Sequence, residues 1–260
     1  MKFGCCAPIG LYDKVVQAGY DYMDVNGADL YALSDGEYEE MVKKVTDGPI
    51  PCLALSGYAK DEPKMAGDGF DPDEVRKYAK KVLLRAAGLG VKLIGIGSPA
   101  IRRLPEDYDR KKAWEQGKQF LEITADVAES YGMIVMLESL HKYLCNFCNT
   151  LDEAYDMVRE INRPNVKLVI DYYNIKPMTD DIYDLRKYLP ETVHLHTSGM
   201  GENYSRPQLK EKDYDELKAI FRSLKDMGYD GAMSNESDNS KLETEGARAV
   251  EIMRRAYKDA

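Results

Sequence analysis

Only three histidines occur in 260 residues, His141, His194 and His196, and all fall at or just beyond the ends of short apolar runs; three such runs carry an acid at or near their ends. MIVMLES (133–139) carries Glu138 near its end, VKLVID (166–171) ends in Asp171, VHLHT (193–197) carries His194 and His196, and GAMSNE (231–236) ends in Glu236. Two Glu, one Asp and one His arriving from four successive strands would supply hard oxygen ligands and one imidazole, a donor set suited to Mn²⁺, Mg²⁺, Co²⁺ or Zn²⁺. Three carboxylates held together repel one another and are costly to desolvate unless a cation joins them. Any one of these acids alone is better read as the partner of a rim Lys or Arg. The coincidence of four in register points to a metal centre.

Bringing the four together requires the runs to lie side by side and parallel. Four more runs precede them, KFGCC (2–6), YMDV (22–25), CLALS (52–56) and VKLIGIG (91–97). The eight starts are 20, 30, 39, 42, 33, 27 and 38 residues apart, so each gap has room for one helix and two loops, the first helix being short. Helical spacing of apolar residues fills 71–90, 110–132 and 213–231, each closing in a glycine stop. Strands apolar on both faces, alternating with helices, are parallel strands covered by helices. Eight such units predict a single (β/α)8 TIM barrel over residues 1–260, whose site lies at the C-terminal strand ends.

Composition removes other classes. Thirty-six Lys and Arg against 45 Asp and Glu leave a formal charge of −9, which opposes a nucleic-acid backbone. No stretch of about 18 apolar residues suits a membrane span, and MKFGCCAPIG lacks the apolar region of a signal peptide. Five cysteines, an odd number, fit reduced thiols and a cytoplasmic location.

The segments IGSPAIRR (96–103), GMIVMLESLHKYLCNFCNT (132–150), NVKLVIDYYN (165–174), VHLHTSG with Arg206-Pro207 (193–207) and GYDGAMSNE (228–236) resemble the xylose-isomerase-like TIM barrels. That group includes sugar isomerases, ketose 3-epimerases, dehydratases and endonuclease IV. The resemblance runs from about the fourth strand to the end. It implies one divalent metal, Mn²⁺ first, held by Glu138, Asp171, His196 and Glu236, with Glu138 and Glu236 also the catalytic acid/base pair. The chemistry is coherent: a metal polarises the carbonyl and hydroxyl of a ketose, and two carboxylates move a proton through a metal-bound enediolate. The substrate is then a ketose, a sugar phosphate or a related keto-polyol. Arg206 looks like the family's substrate-contacting arginine, and His141, Asn174, Ser98 and Asp24 are further substrate-binding candidates. His194, two residues below His196 and on the same face, is read as a hydrogen-bonded core residue. The resemblance also implies a homo-oligomer.

Relatives often read Asp-x-x-His where this chain has Asp171-Tyr172-Tyr173-Asn174. Asn cannot shuttle protons near neutral pH, which keeps two alternatives open: a metal-dependent lyase or dehydratase, and a sugar-binding barrel without turnover. An endonuclease is disfavoured by three histidines and the negative charge. GIGSPA (95–100) matches a dinucleotide fingerprint, but the proline-containing continuation opens no helix, so no such cofactor is expected; Ser98 and Arg102 are read as mouth residues instead. Cys145-x-x-Cys148 has no second pair to complete a cluster and reads as buried thiols. Cys5 and Cys6 have no evident base partner, and no nucleophile is assigned.

Overall fold

In the computed structural model, which describes residues 1–179 and 181–260, the eight runs become strands β1 (Lys2–Ala7), β2 (Tyr22–Asn26), β3 (Cys52–Ser56), β4 (Leu93–Ile96), β5 (Ile134–Glu138), β6 (Val166–Asp171), β7 (Thr192–Thr197) and β8 (Ala232–Asn235). All are parallel, pair in chain order, and close where β8 meets β1. The (β/α)8 barrel expected from the pattern is thus the fold.

The helices are α1 (Tyr12–Ala18), α2 (Gly27–Ala32), α3 (Asp35–Thr46), α4 (Pro72–Gly88), α5 (Arg110–Glu129), α6 (Leu151–Ile161), α7 (Tyr172–Ile175), α8 (Tyr214–Asp226) and α9 (Leu242–Asp259). Six of them, α2 to α7, start after a side-chain cap. Asp71 accepts from the Asp73 and Glu74 amides ahead of α4, and Thr150 and Glu153 form a reciprocal capping box at α6. Along α4, Val75, Ala79, Val82, Leu83 and Ala86 turn one stripe inward and are fully buried against the sheet.

Two gaps depart from one helix each. Between β2 and β3 the chain makes both α2 and α3, the second opened by a Ser34–Glu37 capping box. Between β6 and β7 the described residues hold only the four-residue α7 and two single turns at 176–178 and 189–191. Pro177 and Pro190 sit in those turns, and proline removes the amide a longer helix needs. Strict alternation therefore fails at the sixth unit.

Most of the core lies between the strands and the helix ring. Inside the barrel, Ala54, Met136 and Val169 make a small separate apolar cluster. Because strand side chains alternate, the inward residues two steps above Met136 and Val169 are Glu138 and Asp171. The apolar floor thus gives way to a polar layer at the C-terminal rim.

Candidate metal centre and active site

The strand ends bring Glu138, Asp171, His196 and Glu236 to one mouth. The first three are almost wholly buried, while the Glu236 side chain, one residue past β8, keeps 22% of its surface open. One carboxylate oxygen each of Glu138 and Glu236 and one His196 ring nitrogen all lie within 4.8 Å of one another. Asp171 joins through shared donors. Asn174 Nδ2 donates to Glu138 Oε1 at 2.8 Å and to Asp171 Oδ2 at 3.0 Å. Arg206 donates to Glu236 Oε2 at 2.5 Å and, from its other terminal nitrogen, to Asp171 Oδ2. The guanidinium, laid over the Tyr173 ring at 4.1 Å, thus bridges two acids as a cation would.

The electrostatics separate the two glutamates. Burial, and then the neighbouring Glu236, push the Glu138 carboxyl up to about 7. Burial also works to raise Glu236, but Arg206 and His196 outweigh it and hold that carboxyl down at about 2. Two carboxyls driven apart in this way are suited to different halves of a proton transfer.

Below this layer sits Asp24, entirely inside the barrel. Its Oδ2 lies 2.9 Å from His194 Nε2 and 3.4 Å from His196 Nε2. Burial works to raise this carboxyl, yet the two imidazoles hold it well below the usual range. An ionised carboxylate only accepts, so both Nε2 atoms carry hydrogen toward it. The opposite nitrogen of His196, Nδ1, is buried, has no hydrogen-bond partner, and lies 3.4 Å from Glu236 Oε2. An orphaned imidazole nitrogen among carboxylates fits a divalent cation: Glu138, His196 Nδ1 and Glu236 would hold it, with Asp171 the fourth donor once Arg206 releases it. Gly97 keeps the approach clear, since a Cβ there would fall 1.8 Å from Glu138 Oε2.

The other residues singled out in the sequence divide. Ser98, Asn174 and Arg206 line a mouth cavity of about 500 Å³ together with both glutamates. Asp24 lies beneath that mouth, bonded to the two histidines, and His194 occupies the core position expected of it, with Ser234 Oγ at 3.2 Å. His141 is fully buried and packs its ring against Tyr173 and Tyr204, with centroids 5.3 and 5.1 Å away; burial and then Arg206 lower its pKa.

Arg102, read in the sequence as a mouth residue, is instead fully buried. It donates to the backbone carbonyls of Glu138, at 2.6 Å, and of Ile96, so it ties the end of β4 to the end of β5 and fixes where Glu138 stands. Cys6 also corrects an expectation. Its Sγ lies 3.9 Å from His196 Nε2 and 3.6 Å from Asp24 Oδ2, so it does have an imidazole neighbour. Burial, opposed by His196, pushes the thiol up to about 12, which keeps it protonated and inert. Cys145 and Cys148 are buried free thiols, as the lone pair of the motif implied.

The description of a xylose isomerase-like TIM barrel matches residues 12–257. The chain is 30% identical over 231 residues to D-psicose 3-epimerase of Ruminiclostridium cellulolyticum, covering 85% of this chain and 75% of that protein. A crystal structure of D-psicose 3-epimerase in the presence of D-fructose superposes with a TM-score of 0.82 at 21% identity over 99% of both chains. The IOLI protein, solved with a binding zinc atom, gives 0.75 at 21% identity over 100% of this chain and 97% of its own. Strand-end chemistry, closed barrel and sequence match agree: the chain belongs to the xylose isomerase-like TIM barrel family.

Proposed function

We propose that this enzyme is a divalent-metal-dependent epimerase or isomerase of a ketose or related keto-polyol, working by proton transfer at the carbon beside the carbonyl. One observation carries the reading: two carboxylates, Glu138 from β5 and Glu236 after β8, converge within 4.8 Å of each other and of a His196 nitrogen in a mostly buried mouth. The likeness to D-psicose 3-epimerase supports the sugar chemistry, and the zinc atom of the IOLI protein supports a metal at a barrel of this kind.

A divalent ion at this place would supply polarisation of the substrate carbonyl, and an oxygen-rich donor set with one imidazole suits Mn²⁺. The chain's own groups do the rest. Glu236, held ionised by Arg206 and His196, takes the proton from carbon. Glu138, in its protonated form, returns one to the other face or to the neighbouring carbon. Asn174 orients Glu138 and Asp171 without exchanging a proton itself. Arg206 exchanges its bond to Asp171 for a substrate hydroxyl and keeps its charge near the oxygen where negative charge develops.

The test is to strip the protein with chelator, restore Mn²⁺, Co²⁺, Mg²⁺ or Zn²⁺ separately, and incubate each form with a ketose panel. Metal-restored conversion to products of unchanged mass supports the reading. Products lighter by one water would show a dehydratase, and binding without turnover under every metal would show a sugar-binding barrel.

A further inference from the structure

A cavity larger than the mouth lies beside it, outside the catalytic groups. About 760 Å³ opens between α2, the loop after β3 and the start of α4. It shares Ala28, Asp29 and Lys60 with the mouth cavity, so the two spaces adjoin there. The mouth alone, about 500 Å³, already falls within the roughly 300–1,000 Å³ that encloses a drug-sized ligand. A single six-carbon sugar therefore leaves the annex unused.

The annex is built firmly. Arg85, almost wholly buried in α4, donates to the carbonyls of Leu30, Tyr31 and Leu33 at 2.9, 3.1 and 2.7 Å and satisfies the end of α2. Tyr31 stacks on Tyr78 at 4.3 Å to form the wall. This wall is rigid and mostly apolar, with Ala28 and Ala32 beside it.

Its polar groups select the occupant. Five carboxylates, Asp29, Asp61, Glu62, Asp71 and Glu74, face one lysine, Lys60, which opposes a phosphate or any other anion. Three of the five are already engaged: Glu62 lies 3.6 Å from Lys64, Glu74 3.2 Å from Lys77, and Asp71 caps α4. What remains, Asp29 and Asp61 with Lys60, offers hydrogen-bond acceptors and one donor beside an apolar wall. That is the complement of a neutral ring bearing hydroxyls.

We infer that the annex is a subsite for a second, neutral sugar ring, so that the substrate is a glycosylated ketose whose carbonyl end enters the mouth while its glycosyl unit lies against Tyr31 and Ala32. This rests on the ketose reading above, and the experiment separates the two. The probe is isomaltulose, in which a glucosyl unit is joined to the far end of fructose, compared with D-fructose on the Mg²⁺-loaded protein. Isomaltulose is expected to exceed D-fructose by about tenfold or more in kcat/KM. Ala32→Trp, which fills the annex, should abolish that advantage and leave D-fructose unchanged.

Saturation-transfer NMR gives a readout independent of turnover and of the variant's folding. Glucosyl protons of isomaltulose should receive saturation from wild-type protein as strongly as fructosyl protons. If neither sugar is converted but the glucosyl protons are saturated, the subsite stands and the epimerase reading falls. Saturation confined to the fructosyl protons overturns the subsite. So does an equal or better kcat/KM for D-fructose, or a dimer by light scattering that Ala32→Trp converts to monomer, since a second copy would then cover the annex.

Discussion

Replacing Asp24 by Asn should weaken metal binding although residue 24 would not touch the metal. The carboxylate is fully enclosed, and one of its oxygens serves both His194 Nε2 and His196 Nε2. Because it accepts only, it keeps hydrogen on His196 Nε2, so that Nδ1, which faces Glu236, is the nitrogen that gives up its proton when a metal binds. Asn keeps the shape. If it presents its oxygen, the bonds survive without charge assistance, which roughly halves an interaction worth about 1.5–3 kcal/mol. That alone is about 1 kcal/mol, or about fivefold in affinity. If it presents its NH₂, His196 must accept at Nε2 and carry hydrogen on Nδ1, where the metal should sit. The expected loss is therefore between about fivefold and 100-fold, the upper part matching what partners of metal-bound histidines typically contribute. Calorimetric titration of stripped protein with Mn²⁺ and Zn²⁺ measures it, and imidazole nitrogen–proton NMR of the Zn²⁺-loaded protein reports which His196 nitrogen keeps its hydrogen. An affinity within about twofold of wild type, with hydrogen still on His196 Nε2 in the Zn²⁺-loaded variant, would count against this role for Asp24.

Three further outcomes follow from other parts of the molecule. Arg206→Met should raise KM by about tenfold or more, from loss of a charged hydrogen bond, while metal affinity holds or tightens because Asp171 and Glu236 lose a competing cation; a simultaneous loss of metal, read by elemental analysis, would contradict this. Arg85→Met should cost about 3 kcal/mol in urea unfolding, because the carbonyls of Leu30, Tyr31 and Leu33 lose their buried donor; a cost below about 1 kcal/mol would show those carbonyls to be solvated. Glu191, bonded by Lys167 and Arg159, has its carboxyl lowered, first by Lys167 and against burial. A lowered folded value stabilises above the unfolded pKa, about 4.3, and is lost as pH falls through the folded one. Glu191→Gln should thus cost about 1 kcal/mol near pH 7 and nothing at the acid end of a denaturation series; a cost independent of pH would overturn the ion-pair account.

Much of the barrel could be read from the chain because its strands are short, apolar on both faces and punctuated by glycine. Gly132 and Gly228, at φ 63° and 77°, end helical segments where the pattern places a stop. The strand-end position of Glu138, Asp171, His196 and Glu236 follows from the same alternation, so their convergence is legible in the sequence. Depth was not. Whether a residue near a strand end reaches the mouth or lies one layer beneath it depends on register and barrel shear, and this is why Asp24 read as a mouth residue and stands below the histidines.

Arg102 and His141 illustrate a second blindness. Nothing local tells a loop arginine that reaches solvent from one that turns inward to satisfy two strand-end carbonyls, or a histidine beside Glu138 from one packed behind Tyr173. The Ser34–Glu37 capping box was in the sequence, and it signals α3 directly; the assumption of one helix per gap hid it. Proline at 177 and 190 likewise marked the gap that would not form a full helix.

The proposed reaction requires Glu138 and Glu236 to move a carbon-bound proton. Wild-type protein, Glu138→Gln and Glu236→Gln, each loaded with metal and checked for its content, would be incubated with the converted ketose in deuterium oxide and followed by NMR. Deuterium is expected to enter at the reacting substrate carbon with wild-type protein, and both variants should slow this exchange by about 100-fold or more. Conversion without deuterium uptake, or exchange undiminished in metal-loaded Glu236→Gln, would contradict it.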